Sequence, residues 1–190
     1  MKILVVNNGT RTLNELVDLL SPHQVDVVSY SDIDVNTVEK YKAIILTGGH
    51  EFSVFGHEKL IEKEIYLIRN SKKPIFGICL GFEIIAYAFG SKLEILKNKE
   101  QGTTHINVVV PSEIFSNTNT FGAYESHRWI LKEMGSDLLA LAISKSGIEA
   151  IKHKHLPIYG VQFHPEKSVN KESKSNALLN FLELVENMRQ

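Results

Sequence analysis

The chain has 190 residues, a formal net charge of -1 and a single cysteine, with ordinary shares of apolar and charged residues. A chain of this length can bury a full core, and we expect residues 1–190 to form one domain. The near-neutral charge argues against a nucleic-acid or anionic-membrane surface, and a lone cysteine excludes an internal disulfide framework. A lone cysteine also fits a reducing cytosol, so a cytoplasmic protein is expected, and no apolar run approaches the length that spans a bilayer.

The first half of the sequence alternates short β-branched runs with longer segments of helical periodicity. The N-terminal apolar run is too short for a signal peptide and is typical of a first strand. This alternation predicts a parallel sheet covered by helices on both faces, with right-handed crossovers. The predicted strands are residues 2–6, 25–28, 43–46 and 75–78, and the predicted helices are residues 13–20, 34–40, 57–70 and 82–89.

The second half is dominated by short strand patterns separated by turns, one of them at Gly147. We therefore expect an antiparallel or mixed extension of the same sheet, closed by a helix. The predicted fold class is α/β and flavodoxin-like, with a central, mostly parallel sheet flanked by helices and a β-rich extension. The predicted strands here are residues 105–110, 121–125, 138–144, 148–152 and 157–161, and the predicted closing helix is residues 174–188.

Cys79 lies where an apolar strand pattern passes directly into a helical one, in the sequence Gly77-Ile78-Cys79-Leu80-Gly81. This order is typical of a nucleophile elbow, because flanking glycines remove side chains that would clash at a sharp turn. The following helix directs free N–H groups and a partial positive charge at the sulfur, a setting that lowers a thiol pKa. The alternative is a buried structural cysteine, the usual fate of a free thiol.

A cysteine nucleophile needs a general base and a partner that orients it, and His164 is the strongest candidate among eight histidines. A predicted strand delivers His164 at its end, and Glu166 follows two residues later as a carboxylate that can hold the imidazole. His153 and His155 would share one face of a strand. No cysteine or carboxylate cluster completes a metal site there, so no metal is expected.

Thr47-Gly48-Gly49 follows the third predicted strand, and glycine there lets a backbone N–H group approach an oxyanion closely. The glycine pair also fits an ordinary turn. A phosphate loop is excluded, because no Gly-Lys-Ser/Thr follows. Sites in open α/β sheets form at the carboxyl ends of strands, so we expect this loop and Cys79 to lie close together.

Three sequence blocks together resemble the class I (triad) glutamine amidotransferase family: Thr-Gly-Gly at 47–49, Gly-Ile-Cys-Leu-Gly at 77–81 and Gly-Val-Gln-Phe-His-Pro-Glu at 160–166. Their order and spacing match over nearly the whole chain. Within the family, the length and the segment Glu125-Ser126-His127 are most similar to the free-standing glutaminase subunit of GMP synthetase. The resemblance implies a place in purine biosynthesis.

The resemblance also implies a mechanism that requires no cofactor. The Cys79 thiolate would attack the side-chain amide of glutamine and form a thioester. His164, oriented by Glu166, would protonate the departing ammonia and then activate water. The backbone N–H groups of Gly49 and Leu80 would hold the tetrahedral oxyanion.

The substrate contacts follow from the same resemblance. The segment matching Ser126, His127, Arg128 and Trp129 would hold the amino-acid end of glutamine, largely through backbone groups. Family glutaminases usually carry Gln four residues after the nucleophile. This chain has Glu83, which donates no hydrogen bond when ionised. Glu83 matches a pattern of the related γ-glutamyl hydrolases, which need no synthetase, but it could also point along its helix into solvent.

Two further departures from the family pattern surround the expected site. Arg128-Trp129 stands where the GMP synthetase subunit usually has an acidic residue that is thought to couple it to its synthetase. Trp129 fits either a partner contact or the core. The loop after the glycine pair is unusually apolar, with Phe52, Val54 and Phe55, and could be a lid, a docking surface or simply packed.

Three functions therefore stay open from the sequence. The leading prediction is a glutaminase that hydrolyses L-glutamine and passes ammonia to a separate synthetase, such as that of GMP synthetase. A stand-alone γ-glutamyl hydrolase or peptidase, acting on another γ-glutamyl compound, is the second. A non-catalytic binding module of the same fold is the third. None of them involves nucleic acid or a membrane.

Overall fold

The computed structural model describes residues 1–116, 118–167 and 176–188. Across these residues the strands form one sheet and the α-helices cover both of its faces. The strands are β1 (Lys2–Asn7), β2 (Gln24–Ser29), β3 (Ala43–Leu46), β4 (Ile75–Ile78), β5 (Lys92–Val108), β6 (Thr120–Glu133), β7 (Leu138–Ile143), β8 (Ile148–His153) and β9 (Ile158–Val161). The α-helices are α1 (Leu13–Leu19), α2 (Glu62–Asn70), α3 (Leu80–Ala88) and α4 (Ala177–Asn187).

The sheet has the order β2-β1-β3-β4-β9-β8-β7-β5-β6, and its first five strands run parallel. Every residue of β3, β4 and β9 is buried, because helices cover both faces of this half. Leu16 and Phe181 pack on one face, and Ile68 and Ile85 pack on the other. The predicted parallel α/β core is confirmed.

The remaining strands pair antiparallel and extend the same sheet, as predicted. The expected strand 105–110 ends earlier, at Val108, and this strand and the expected strand 121–125 are only parts of the long hairpin made by β5 and β6. The sequence prediction missed the rest because its residues are mostly charged and exposed, and a register shift interrupts their alternation between Ile95 and Glu100. The segment from Ser126 to Trp129 lies on β6, the last strand in the sheet order.

Two predicted helices in the first half are corrected by the structure. Residues 34–40 contain only the short 3₁₀ turn Val38–Lys40, because the Asp34 carboxylate accepts the Asn36 N–H and competes with helical bonding. Residues 57–61 form turns, and the helix predicted from residue 57 begins at Glu62. Neither difference changes the order of the strands.

The other three helical predictions differ only at their ends. The first helix spans Leu13–Leu19, one residue shorter than the predicted 13–20. The helix after the elbow spans Leu80–Ala88, so it begins directly after Cys79 rather than at Phe82. The closing helix spans Ala177–Asn187, and the predicted first residues 174 and 175 lie outside the described residues. None of the helices described is both long and apolar enough to cross a bilayer.

Candidate active site

The carboxyl ends of three neighbouring parallel strands meet at one edge of the sheet, as the sequence predicted. Thr47 follows β3, Cys79 follows β4 and His164 lies just beyond β9. The Gly81 N–H donates to the Thr47 carbonyl at 3.2 Å. A Cβ built on Gly48 would lie 3.4 Å from the Cys79 Cβ and 3.2 Å from the His164 Cε1, so cysteine and histidine flank the same glycine.

The backbone at Cys79 has the strained geometry of a nucleophile elbow. Its φ of 50° is in the left-handed region, which residues other than glycine rarely adopt. A Cβ on Gly77 would lie 2.5 Å from the Gly81 backbone, and a Cβ on Gly81 would lie 2.4 Å from the Leu46 carbonyl oxygen. Both glycines are therefore required by close packing of strand, turn and helix.

The electrostatic setting of the thiol is opposite to the one expected from the sequence. Burial raises the pKa of the Cys79 thiol well above its ordinary value, and the nearby carboxylates of Glu83 and Glu166 raise it further. Hydrogen bonds from the Leu80 N–H and the Gln162 side chain lower the thiol pKa, but burial and the two carboxylates outweigh them. The raised pKa favours the protonated thiol in the folded protein, and the predicted chemistry would then require a base to take its proton.

The predicted base, His164, is held in one orientation by its neighbours. Its Nδ1 donates to the Glu166 Oε1 at 2.8 Å, which fixes the tautomer and leaves the lone pair of Nε2 available. Nε2 is buried and has no hydrogen-bond partner among the described residues. The Thr12 hydroxyl also donates to the Glu166 Oε1, at 2.7 Å, and holds the carboxylate in place. Sequence reasoning missed Thr12, because no local pattern links it to a residue 154 positions away.

The predicted oxyanion donors lie beside the thiol. Gly49 and Leu80 line the same cavity as Cys79. Leu80 is the first residue of α3, so its N–H has no acceptor within the helix and faces the sulfur. A Cβ on Gly49 would lie 2.3 Å from the Asn8 carbonyl oxygen, so only glycine fits at this position. Their role as oxyanion donors stays a prediction.

A cavity of about 490 Å³ opens above Cys79, large enough for an amino-acid substrate. All seven residues predicted to bind substrate line it: Gly49, Leu80, Glu83, Ser126, His127, Arg128 and Trp129. The structure therefore brings together the whole predicted set, although three of its segments are distant in sequence. Binding of glutamine by these residues stays a prediction.

Glu83 is buried at the base of this cavity and does not point into solvent, so that alternative is wrong. The Gln162 Nε2 donates to the Glu83 Oε1 at 3.2 Å and lies 3.8 Å from the Cys79 sulfur. Burial raises the pKa of Glu83 to about 7. The carboxyl can therefore be neutral near pH 7 and then donate a hydrogen bond, as a glutamine does. Gln162 lies within the sequence block 160–166, but nothing in that block predicts its contact with Glu83.

The apolar loop after Gly49 mostly packs onto the fold. Phe52 contacts Tyr30 edge-on, with ring centroids 4.9 Å apart, and Val54 is buried. Phe55 is 39% exposed and contacts the half-buried Trp129, with centroids 5.4 Å apart. Trp129 thus lies at the rim of the cavity, between the core and solvent.

Comparison with known proteins agrees with this geometry. The model of the family "Glutamine amidotransferase class-I" matches residues 4–184. This chain belongs to that family. A glutamine-hydrolyzing GMP synthase subunit from Methanococcus vannielii is 35% identical over 172 residues, covering 87% of this chain and 88% of its own length. The corresponding GMP synthase subunit from Pyrococcus abyssi is 33% identical over 190 residues, covering 96% and 97%.

Solved structures of this family share the fold. A crystal structure of a Thermoplasma acidophilum protein, described as a GMP synthase subunit, superposes with a TM-score of 0.87 and 25% identity, covering 98% of this chain and 94% of that one. A glutamine amidotransferase from Thermotoga maritima superposes with a TM-score of 0.79 and covers 97% of both chains. At 16% sequence identity, this likeness shows the fold alone.

Proposed function

We propose that this amidotransferase domain hydrolyses L-glutamine to glutamate and ammonia and delivers the ammonia to a separate synthetase, as the names of its glutamine-hydrolyzing GMP synthase relatives indicate. The observation that carries this proposal is the arrangement beside the cavity. A cysteine on a strained elbow lies near a histidine whose Nδ1 is held by Glu166 and whose Nε2 has no partner within the described part of the chain. A cytoplasmic, single-domain enzyme of purine biosynthesis fits this assignment.

In the proposed reaction, His164 Nε2 takes the Cys79 thiol proton as the sulfur attacks the side-chain carbonyl carbon of glutamine. The carbonyl oxygen becomes an oxyanion, which accepts hydrogen bonds from the N–H groups of Gly49 and Leu80. The C–N bond then breaks as the imidazolium protonates the departing nitrogen, leaving a thioester and ammonia. Water, deprotonated by His164, attacks the thioester and releases glutamate and the thiol.

Ammonia release tests the assignment. Purified protein is assayed with glutamine, alone and with candidate GMP synthetase subunits, and Cys79→Ala serves as the inactive control. We expect ammonia release that depends on Cys79 and increases in the presence of the correct synthetase. A partner can complete the site, so low activity of the isolated chain is compatible with the proposal. No release with any candidate would contradict it.

A second candidate, a stand-alone γ-glutamyl hydrolase, is favoured by one observation. Glu83 presents a buried carboxyl group to the cavity where family glutaminases usually have a glutamine. We expect a γ-glutamyl hydrolase to cleave γ-glutamyl dipeptides without a partner, and Glu83→Gln to shift its preference toward free glutamine. If Glu83→Gln leaves the rate with each substrate unchanged, Glu83 does not select substrate.

A non-catalytic binding module is the remaining alternative. Covalent labelling by a glutamine-like electrophile, detected by mass spectrometry of the labelled peptide, distinguishes the binding module from both enzymes. We expect covalent labelling of Cys79, protection by excess glutamine, and loss of labelling in His164→Ala. An unlabelled cysteine at saturating reagent would favour the binding module.

A further inference from the structure

A buried group of two carboxyls and one imidazole lies beneath the wall of the substrate cavity. We name Glu125, His127 and Glu149 the acid–imidazole cluster. Their nearest polar atoms lie within 4.8 Å of one another, and all three side chains are buried. Glu125 and His127 lie on β6, and Glu149 lies on β8. The proposed chemistry at Cys79 uses neither glutamate.

Hydrogen-bond partners fix the charge of the imidazole. His127 Nδ1 lies 2.9 Å from the Trp129 carbonyl oxygen, and its Nε2 lies 3.2 Å from the Glu125 Oε2. A carbonyl oxygen and a carboxylate are both acceptors, so each ring nitrogen carries a proton and donates it. Burial acts to lower the pKa of His127, but the hydrogen bond to Glu125 and the neighbouring acidic groups outweigh it and raise that pKa above its ordinary value.

The two carboxyl groups require one further proton. Glu149 Oε1 accepts from the Ser144 hydroxyl at 2.6 Å, but Glu149 Oε2 and Glu125 Oε1 are buried without a partner among the described residues. Two adjacent buried carboxylates repel, and a proton between them removes the repulsion and satisfies both oxygens. Burial and the Glu125 charge raise the pKa of Glu149 to about 8. The cluster is then neutral overall at pH 7.

Other charged groups around the imidazole favour the same state. Glu83 of α3 and Glu100 of β5 interact electrostatically with His127. Glu100 is held by Lys145 at 3.2 Å and by the Ser146 hydroxyl at 2.8 Å, so it is fixed on that side. These carboxyl groups stabilise a positive charge on the His127 ring, and they disfavour a further negative charge on Glu149.

The cluster is hydrogen-bonded to backbone that lines the cavity. His127 holds the Trp129 carbonyl, and residues 126–129 form one wall of the substrate cavity. On the basis of the glutaminase function proposed above, we propose that Glu149 is a positioning residue that holds the substrate-binding segment 126–129 in register through a proton shared with Glu125. When that proton is lost at alkaline pH, the two buried carboxylates repel each other and the segment is displaced.

Kinetics of two Glu149 variants test this role. In the native protein we expect the KM for glutamine to rise about tenfold per pH unit above about pH 8, with a smaller change in kcat. Glu149→Gln keeps a hydrogen-bond donor for Glu125 and cannot ionise, so its KM stays constant across that range. Glu149→Leu keeps the bulk without the donor and raises KM at every pH. An unchanged alkaline rise in Glu149→Gln, or a native KM in Glu149→Leu, would overturn the proposal.

Nitrogen NMR of the His127 ring tests the cluster without catalysis. We expect both ring nitrogens to be protonated at neutral pH, and metal analysis of the purified protein to find no stoichiometric ion. An unprotonated Nε2, or a bound metal in place of the shared proton, would refute the cluster assignment even if glutamine is hydrolysed. A protonated ring in a protein without glutaminase activity would instead refute the proposed function and leave the shared proton standing.

Discussion

Glu64 offers a sharp test of how burial sets protonation in this protein. Its side chain is fully buried on α2, where the Asn8 Nδ2 donates to Oε2 at 3.2 Å, and Oε1 has no partner among the described residues. The same Asn8 amide donates to the Thr47 carbonyl at 3.1 Å, next to the Gly49 loop. Burial raises the pKa of Glu64 to about 8. The folded protein therefore holds this proton at pH 7, and the unfolded chain does not.

The sign and size of the effect follow from this difference. The stabilising effect of the held proton is complete below the unfolded pKa of about 4.5 and is lost as pH rises toward about 8. The loss is roughly 1.4 kcal/mol per pH unit, because the folded state binds one more proton than the unfolded state. Glu64→Gln cannot ionise, so we expect its stability to fall less steeply with pH than that of the native chain.

Urea denaturation from about pH 5 to about pH 8 measures the difference. The control is Glu62→Gln, an exposed position on the same helix, which should keep the native pH slope. Subtracting the native curve from the Glu64→Gln curve removes the contributions of all other titrating groups. Parallel curves would refute the reasoning, because they would mean that Glu64 is ionised in the folded protein.

Three further predictions concern the candidate active site. Glu166→Gln keeps a hydrogen-bond acceptor for the imidazole but removes the carboxylate charge, so we expect glutaminase kcat, measured by ammonia release, to fall about 100-fold or more. A change below about threefold would contradict the role of that charge. Gly81→Ala places a Cβ 2.4 Å from a backbone oxygen and should cost about 3 kcal/mol or more in urea unfolding, whereas Gly122→Ala, with only a side-chain methyl 3.2 Å away, should cost much less. Because burial raises the pKa of Cys79, iodoacetamide should alkylate the free protein slowly at pH 7 and faster as pH rises, as followed by mass spectrometry; rapid alkylation at neutral pH would contradict it.

Much of the site could be predicted from sequence because its requirements are local. Glycines at 77 and 81 are required by contacts within one strand–turn–helix unit, and their spacing around Cys79 is readable in the chain. The pair His164 and Glu166 is separated by one residue, so their hydrogen bond is also local. Short helices were predicted less well, since a single side-chain bond at Asp34 decides whether a turn continues.

Protonation could not be predicted in this way. The elbow motif indicated a lowered thiol pKa, but the pKa of Cys79 is raised by burial and by carboxyls that approach from α3 and from beyond β9. Thr12 and Glu149 gave no local signal, because each meets its partner only after distant strands pair. Their contributions depend on distance and exposure, which a linear pattern does not contain.

The sequence by itself therefore determined which residues are candidates for the chemistry and the alternation of strands and helices that bears them, since steric demands and hydrophobic periodicity act over a few residues. Only the tertiary structure decided the charge state of those residues and the shape of the cavity wall. The physical reason is that desolvation and Coulomb interactions depend on all neighbours in space, and sheet pairing brings those neighbours from opposite halves of the chain.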